Sequence, residues 1–145
     1  MADFTVSLTT RGRELEAQQL LYGYGFRVDY FVLGAGGHDP GNPTIALPLD
    51  TDVTELPGQF FGPEPIDVKE LVTATCPRFI CIAQRGEAVG GISNLGLIAT
   101  VLSVPSGSPV DAPAVGSTFL YAVCGFPLRY KVSASRETFT ISIKT

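Results

Sequence analysis

The sequence predicts a mainly β protein, a β-sandwich or open barrel, with one α-helix packed on it near the N-terminus. Three observations carry that expectation. Several runs read as strands, either through strict alternation or as near-continuous apolar stretches. A single window, residues 11–22, has helical character. The 16 glycines and 11 prolines are spread without a period, as many turns between short strands require.

A chain of 145 residues fits one domain spanning 1–145, and at that size folding removes roughly 68–70% of the unfolded chain's surface from water. With 45% hydrophobic and 17% charged residues, the composition is far from that of disordered chains. The elements follow in order. Phe4 to Leu8 alternates apolar and polar residues and ends at Thr9-Thr10, a half-buried strand handing over to a helix cap. Arg11 to Tyr22 is the helix, stopped by Gly23 or Gly25. Ala17, Leu20, Leu21 and Tyr24 recur at i, i+3, i+4, i+7, the stripe expected to face the core. Leu15 and Tyr22 fall outside it, about two turns apart on the opposite side. They are either ordinary exposed apolar residues or a contact with a second chain.

Arg27 to Leu33 returns as a strand and stops at Gly34-Ala35-Gly36-Gly37. Residues 34–43 read as a loop, with glycines supplying positive φ and prolines breaking any ladder. This loop holds the one histidine, His38, beside Asp39; two adjacent loop residues do not make a metal or acid–base site, so no metal is expected there. The glycines are followed by neither Lys-Ser/Thr nor a helix, which excludes a phosphate-binding loop. Residues 44–65 lack periodicity and are dense in Pro, Gly and Asp, a connection that is functional or laid across the surface. Phe60-Phe61 inside it is an anchor, either into this domain's own core or into a neighbour.

Val68–Ala74 and Arg78–Ala83 are expected as strands, broken at Cys76-Pro77. Ser93–Val104 is apolar enough to be buried on both faces and is expected as the central strand. Ser117–Phe126 is a second buried run, and Thr138–Lys144 alternates with Phe139, Ile141 and Ile143 inward. Cys76, Cys81 and Cys124 are an odd number, and Cys76 and Cys81 would point to opposite faces of one strand, so all three are expected reduced and structural.

The net charge of −4 and the lack of a basic stripe argue against nucleic acid as a partner. Neither a secretory leader nor an 18-residue apolar span is visible, so the chain is expected to be made in the cytosol without membrane insertion. For an enzyme the sequence offers no paired carboxylates on one element, no Ser-His-Asp set and no Gly-x-Ser-x-Gly, so no catalytic residue or cofactor is expected.

The order of strand, Leu8-Thr9-Thr10-x-Gly12, helix, and strand ending in Val32-Leu33-Gly34-Ala35-Gly36-Gly37 resembles the N-terminal domain of bacteriophage tail fibre and tail-collar fibre proteins. Thr44-Ile45-Ala46-Leu47 is similar to that family's Thr-x-x-Leu segment, and Asn94-Leu95-Gly96-Leu97-Ile98 to its Glu-Ile-Gly-Leu-Phe strand. Asn94 replaces the acidic residue of the family strand, and Ala35 stands where the family turn has Asp. The resemblance implies a baseplate- or tail-attachment domain. Since no shaft or receptor-binding tip follows it here, the implied protein is a structural virion component of a phage tail, baseplate or related contractile injection machine, joining tail components and fibres. It further implies other virion proteins as partners and a homo-oligomer, with a trimer preferred. Leu15, Tyr22, Phe60 and Phe61 are the candidate interface residues. The alternatives are a carbohydrate- or receptor-binding β module and, behind it, a small enzyme.

Overall fold

The computed structural model describes residues 2–48 and 50–143. Its elements are β1 (Ala2–Thr5), β2 (Ser7–Leu8), α1 (Thr10–Tyr22), β3 (Gly25–Gly34), β4 (His38–Asp39), β5 (Asn42–Ala46), β6 (Gln59–Pro65), β7 (Val68–Thr73), β8 (Cys76–Ala83), β9 (Gly90–Ser103), β10 (Thr118–Lys131) and β11 (Glu137–Ser142). They form a mainly β fold with a single short helix among the described residues. One sheet has the order β1-β11-β8-β7, another β2-β10-β9-β3-β6, and β4-β5 is a separate hairpin. The apolar run of β9 is the middle strand of the five-stranded sheet, as its burial on both faces requires.

The two larger sheets enclose one core. Phe79, Cys81, Phe139 and Ile141 come from the four-stranded sheet and meet Phe31, Leu33, Leu95, Leu97 and Cys124 of the five-stranded one. A ring cluster spans the seam: Phe4 stacks on Phe126 at 4.6 Å between centroids, and Phe126 lies 5.9 Å from Phe139. The N-terminal run is not one strand but two. Val6 is buried at the point where the chain leaves β11, its partner in β1, and joins β10 as β2. One continuous segment thus closes that side of the sandwich.

On the outer face of the five-stranded sheet a second cluster forms from Val32, Leu120 and Val123, covered by Leu56 and Val53. Segment 50–58 is therefore a lid rather than a free loop. Two strands, β5 and β6, lie in the region that the sequence predicts as unbroken loop. Pro43, Pro63 and Pro65 hide their periodicity, and such prolines are tolerated because β6 is a sheet edge and β5 belongs to a two-stranded hairpin. Pro77 likewise sits inside β8, opposite Leu71, and the chain turns earlier, at Ala74-Thr75.

The helix docks by polar and backbone contacts. The backbone N–H of Thr9 donates to the Tyr121 carbonyl at 2.9 Å, and its hydroxyl donates to Leu120 O at 2.6 Å while accepting from Gly12 N at 2.9 Å. Thr9 is thus an N-cap and a weld at once. The carbonyl is free for this because the β9–β10 register shifts between Leu120 and Ala122, leaving Tyr121 outside the ladder. Gly12 lies directly over it, and a Cβ there would run into the Tyr121 oxygen. Gly23, at φ 79°, ends the helix in the left-handed conformation, its N–H donating to Gln19 O at 2.8 Å.

On the far side of the sandwich Asp29 of β3 binds Arg27 at 2.6 Å and Lys69 of β7 at 2.8 Å, so one carboxylate ties the two sheets. The Arg27 hydrogen bond, with Lys69 behind it, pulls the Asp29 pKa down to about 2 against the penalty of burial.

Two outcomes are expected. Gly12→Ala should destabilise the fold by about 1–3 kcal/mol through overpacking, lowering the melting temperature by several degrees; an unchanged melting curve would show that the helix is free to lift. Asp29→Asn should cost about 1 kcal/mol at neutral pH, a figure reduced for the solvent around Arg27. A carboxylate with a depressed folded pKa contributes above the unfolded value of 3.8 and loses its contribution as pH falls towards 2. The stability gap between wild type and variant should therefore close over that window in acid titrations, and a pH-independent gap would contradict the assignment.

Candidate functional site

The helix turns Leu15 inward and Leu20 and Leu21 outward, the reverse of what its apolar spacing predicts, while Tyr24 is buried and Tyr22 exposed as that spacing implies. Leu15 is 1% exposed and Gly12 is also buried, whereas Leu20 is 90% and Leu21 76% exposed. Leu15 therefore cannot serve as an interface residue. The inward side carries Gly12, Leu15, Glu16 and Gln19, at helical spacing but mostly polar. Glu16 accepts a hydrogen bond from the buried Tyr121 hydroxyl at 2.5 Å, and Gln19 Nε2 donates to Tyr24 O at 2.9 Å. Burial and the Glu16 contact push the Tyr121 phenol well above its ordinary pKa, which keeps it a donor at any physiological pH. Apolar periodicity misassigns the face because this helix is held by close backbone approach, satisfied polar groups and the single buried Leu15, leaving Leu20 and Leu21 over.

Tyr22 is 38% exposed, and its ring lies 5.7 Å from that of buried Tyr24. It is available at the end of the helix, beside the outward Leu20 and Leu21. Pro105, which opens the 104–117 connection, approaches the helix at Gly23, and that connection exposes Val110 and Val115. The two phenylalanines divide. Phe61 packs on the core, 6.2 Å from Phe31, and is an anchor into its own domain; Phe60 is 45% exposed. Of the predicted contact residues, Tyr22 and Phe60 keep a surface to offer. Leu20 and Leu21, which their spacing assigns to the core-facing stripe, stand exposed instead.

The segments that carry the fibre resemblance meet in space. Thr9 and Gly12 fix the helix on β10, and Thr10 reaches the lid, its N–H donating to Thr51 O at 2.8 Å and its hydroxyl to the Asp52 carboxylate. The glycine turn lies on Ser93-Asn94 of β9: Gly37 N donates to Ser93 Oγ at 2.8 Å, and a Cβ on Gly37 would collide with the Ser93 carbonyl. Leu47 N, at the end of the Thr44–Leu47 segment, donates to Gly37 O at 2.9 Å. His38 belongs to this junction, with Nδ1 2.8 Å from Ser93 Oγ, and Asp39 caps its own turn by accepting from Gly41 N at 2.8 Å.

Beneath the lid is a cleft of about 250 Å³, with Val53, Leu56 and Pro57 above and Val123, Cys124 and Asn94 below. Asn94 Nδ2 donates to Pro57 O at 2.8 Å and so closes one end, while its Oδ1 is buried without a partner in the described residues. The amide is the group this position needs, since a carboxylate could not donate to a carbonyl. Cys81 and Cys124 are buried free thiols and Cys76 is a half-buried one; burial pushes the Cys124 thiol up to about 12 and raises that of Cys81 as well, so neither is nucleophilic at neutral pH.

No family model, no curated protein and no solved structure matches the chain.

Asn94→Asp should cost about 2–4 kcal/mol at neutral pH, because it sets an unpaired buried charge against the Pro57 carbonyl. The buried acid should have a raised pKa, so the variant is least penalised below the unfolded value near 4 and loses stability as pH rises through the folded one. Melting curves of both proteins at acid and neutral pH check this; equal losses at the two values would contradict it.

Proposed function

We propose that the protein is a structural, non-enzymatic attachment subunit of a phage tail or baseplate, or of a related contractile injection machine, joining other virion proteins and residing in the particle. The observation that supports this best is the convergence of the short motifs that resemble tail-fibre attachment domains. Four segments spread from Leu8 to Ile98 lie together around β9, β10 and the lid, and in two of them the shared residue types are needed where they stand, Thr9 as cap and Gly12 and Gly37 for close approach. Asn94, where the chain departs from the family's acidic residue, is an amide donor peculiar to this chain.

A scaffold held from within by these residues frees the outer side of its helix for contact. Leu20 and Leu21, with Tyr22 at their side, are large apolar groups standing in water on a rigid element. Burying each leucine in an interface contributes on the order of 1.5–3 kcal/mol. We assign this face to assembly, with neighbouring virion proteins or with further copies of the chain, three being the number the resemblance favours.

The test is Leu20→Glu with Leu21→Glu, followed by sedimentation and by recovery of the protein in assembled particles. The expected result is a folded protein, with unchanged circular dichroism, that is lost from particles. Normal incorporation of the double variant would overturn the assignment of this face, and absence of the wild-type protein from purified tails would overturn the attachment role itself.

A further inference from the structure

We propose that the corner of the sandwich where the β8–β9 and β10–β11 connections meet is a docking site for an acidic segment of a partner protein, gripped by Arg85 and Arg136. The two connections are fastened to each other: Gly86 N donates to Ser133 O at 2.8 Å, and Lys131 Nζ donates to Gln84 O at 2.7 Å. Between them lies an open depression of about 610 Å³ lined by Gln84, Arg85, Ala134, Ser135 and Arg136.

The charge of this corner runs against the rest of the molecule. Residues 84–89 and 129–137 carry four cationic side chains, Arg85, Arg129, Lys131 and Arg136, against two carboxylates, in a chain of net charge −4. Both carboxylates are already engaged. Glu87 accepts from Gln84 N at 2.9 Å, capping its own turn, and Glu137 pairs with Arg129 at 2.9 Å. Among the described residues Arg85, Arg136 and Lys131 make no ion pair. Lys131, only 2% exposed, is spent on fastening the two connections and does not line the depression, which leaves Arg85 and Arg136 as the cations facing it.

The chemistry of the occupant follows from the shape of the field. A long polyanion or an anionic membrane would meet the acidic remainder of the surface as well as this corner and be repelled over most of its footprint. A short run of carboxylates touches only the corner. Two guanidinium forks are matched to carboxylates, which they bind in paired hydrogen bonds. The site does not depend on the attachment reading, since the same recognition would operate in any setting.

The experiment is fluorescence anisotropy of labelled hexaglutamate with the whole protein at about 50 mM salt, where exposed charges are weakly screened. Saturable binding that weakens as salt rises is expected, and Arg85→Ala with Arg136→Ala should reduce affinity about tenfold without moving the melting temperature. Should that pair alter folding, Arg85→Gln with Arg136→Gln is read in its place. Arg11→Ala, on the distant helix, should leave binding intact. The proposal is overturned if hexaglutamate does not bind, if Arg11→Ala weakens it as much as the corner variants, or if inorganic phosphate displaces the peptide at concentrations where free glutamate does not.

Discussion

The structure hangs on a single carbonyl. Tyr121 O, set free by an irregularity in the β9–β10 ladder, receives the Thr9 N–H and lies under the bare backbone of Gly12. That contact fixes where the chain leaves β2, how the helix lies, and, through the neighbouring Thr10, where the lid of residues 50–58 is held. The lid in turn seals the outer cluster around Val123, and Pro57 within it meets the Asn94 amide. A two-residue threonine step thus joins the helix, the central sheet and the covering segment. None of the three would be positioned by hydrophobic burial alone, because burial is non-directional and roughly proportional to area.

This explains which parts of the molecule were legible beforehand. β9, β10 and β11 are plain in the sequence because their burial is uniform or strictly alternating: Leu95, Leu97 and Ala99, or Phe139 and Ile141, announce a face. Thr9-Thr10 and Gly23 likewise mark the helix ends. The orientation of the helix was not legible, since Glu16 and Gln19 look like solvent-facing residues until the Tyr121 hydroxyl and the Tyr24 carbonyl are placed beside them. β5 and β6 were hidden by prolines that a central strand would refuse and an edge accepts.

The surface shows the same division. Phe60 and Phe61 are adjacent in sequence and alternate across β6, so one enters the core and the other does not; the pattern gives the alternation but not its phase. The cationic corner was invisible for a different reason. Arg85 and Arg136 lie 51 positions apart, and strand pairing with the Gly86–Ser133 and Lys131–Gln84 bonds brings their connections together.

The crossing of the N-terminal run from one sheet to the other bears on how the protein comes into being. Ala2 pairs with Phe139 and Thr5 with Ser142, while Leu8 pairs with Ala122. On a ribosome, this run thus waits for more than a hundred further residues before either of its partners has been made. Loop closure over such a span is slow, and in the interval β1, β2, the helix and its outward leucines are without the strands they pair with or pack on. β1 is therefore exposed to wrong pairing until β11 has been made, and β11 is the strand that ends that exposure.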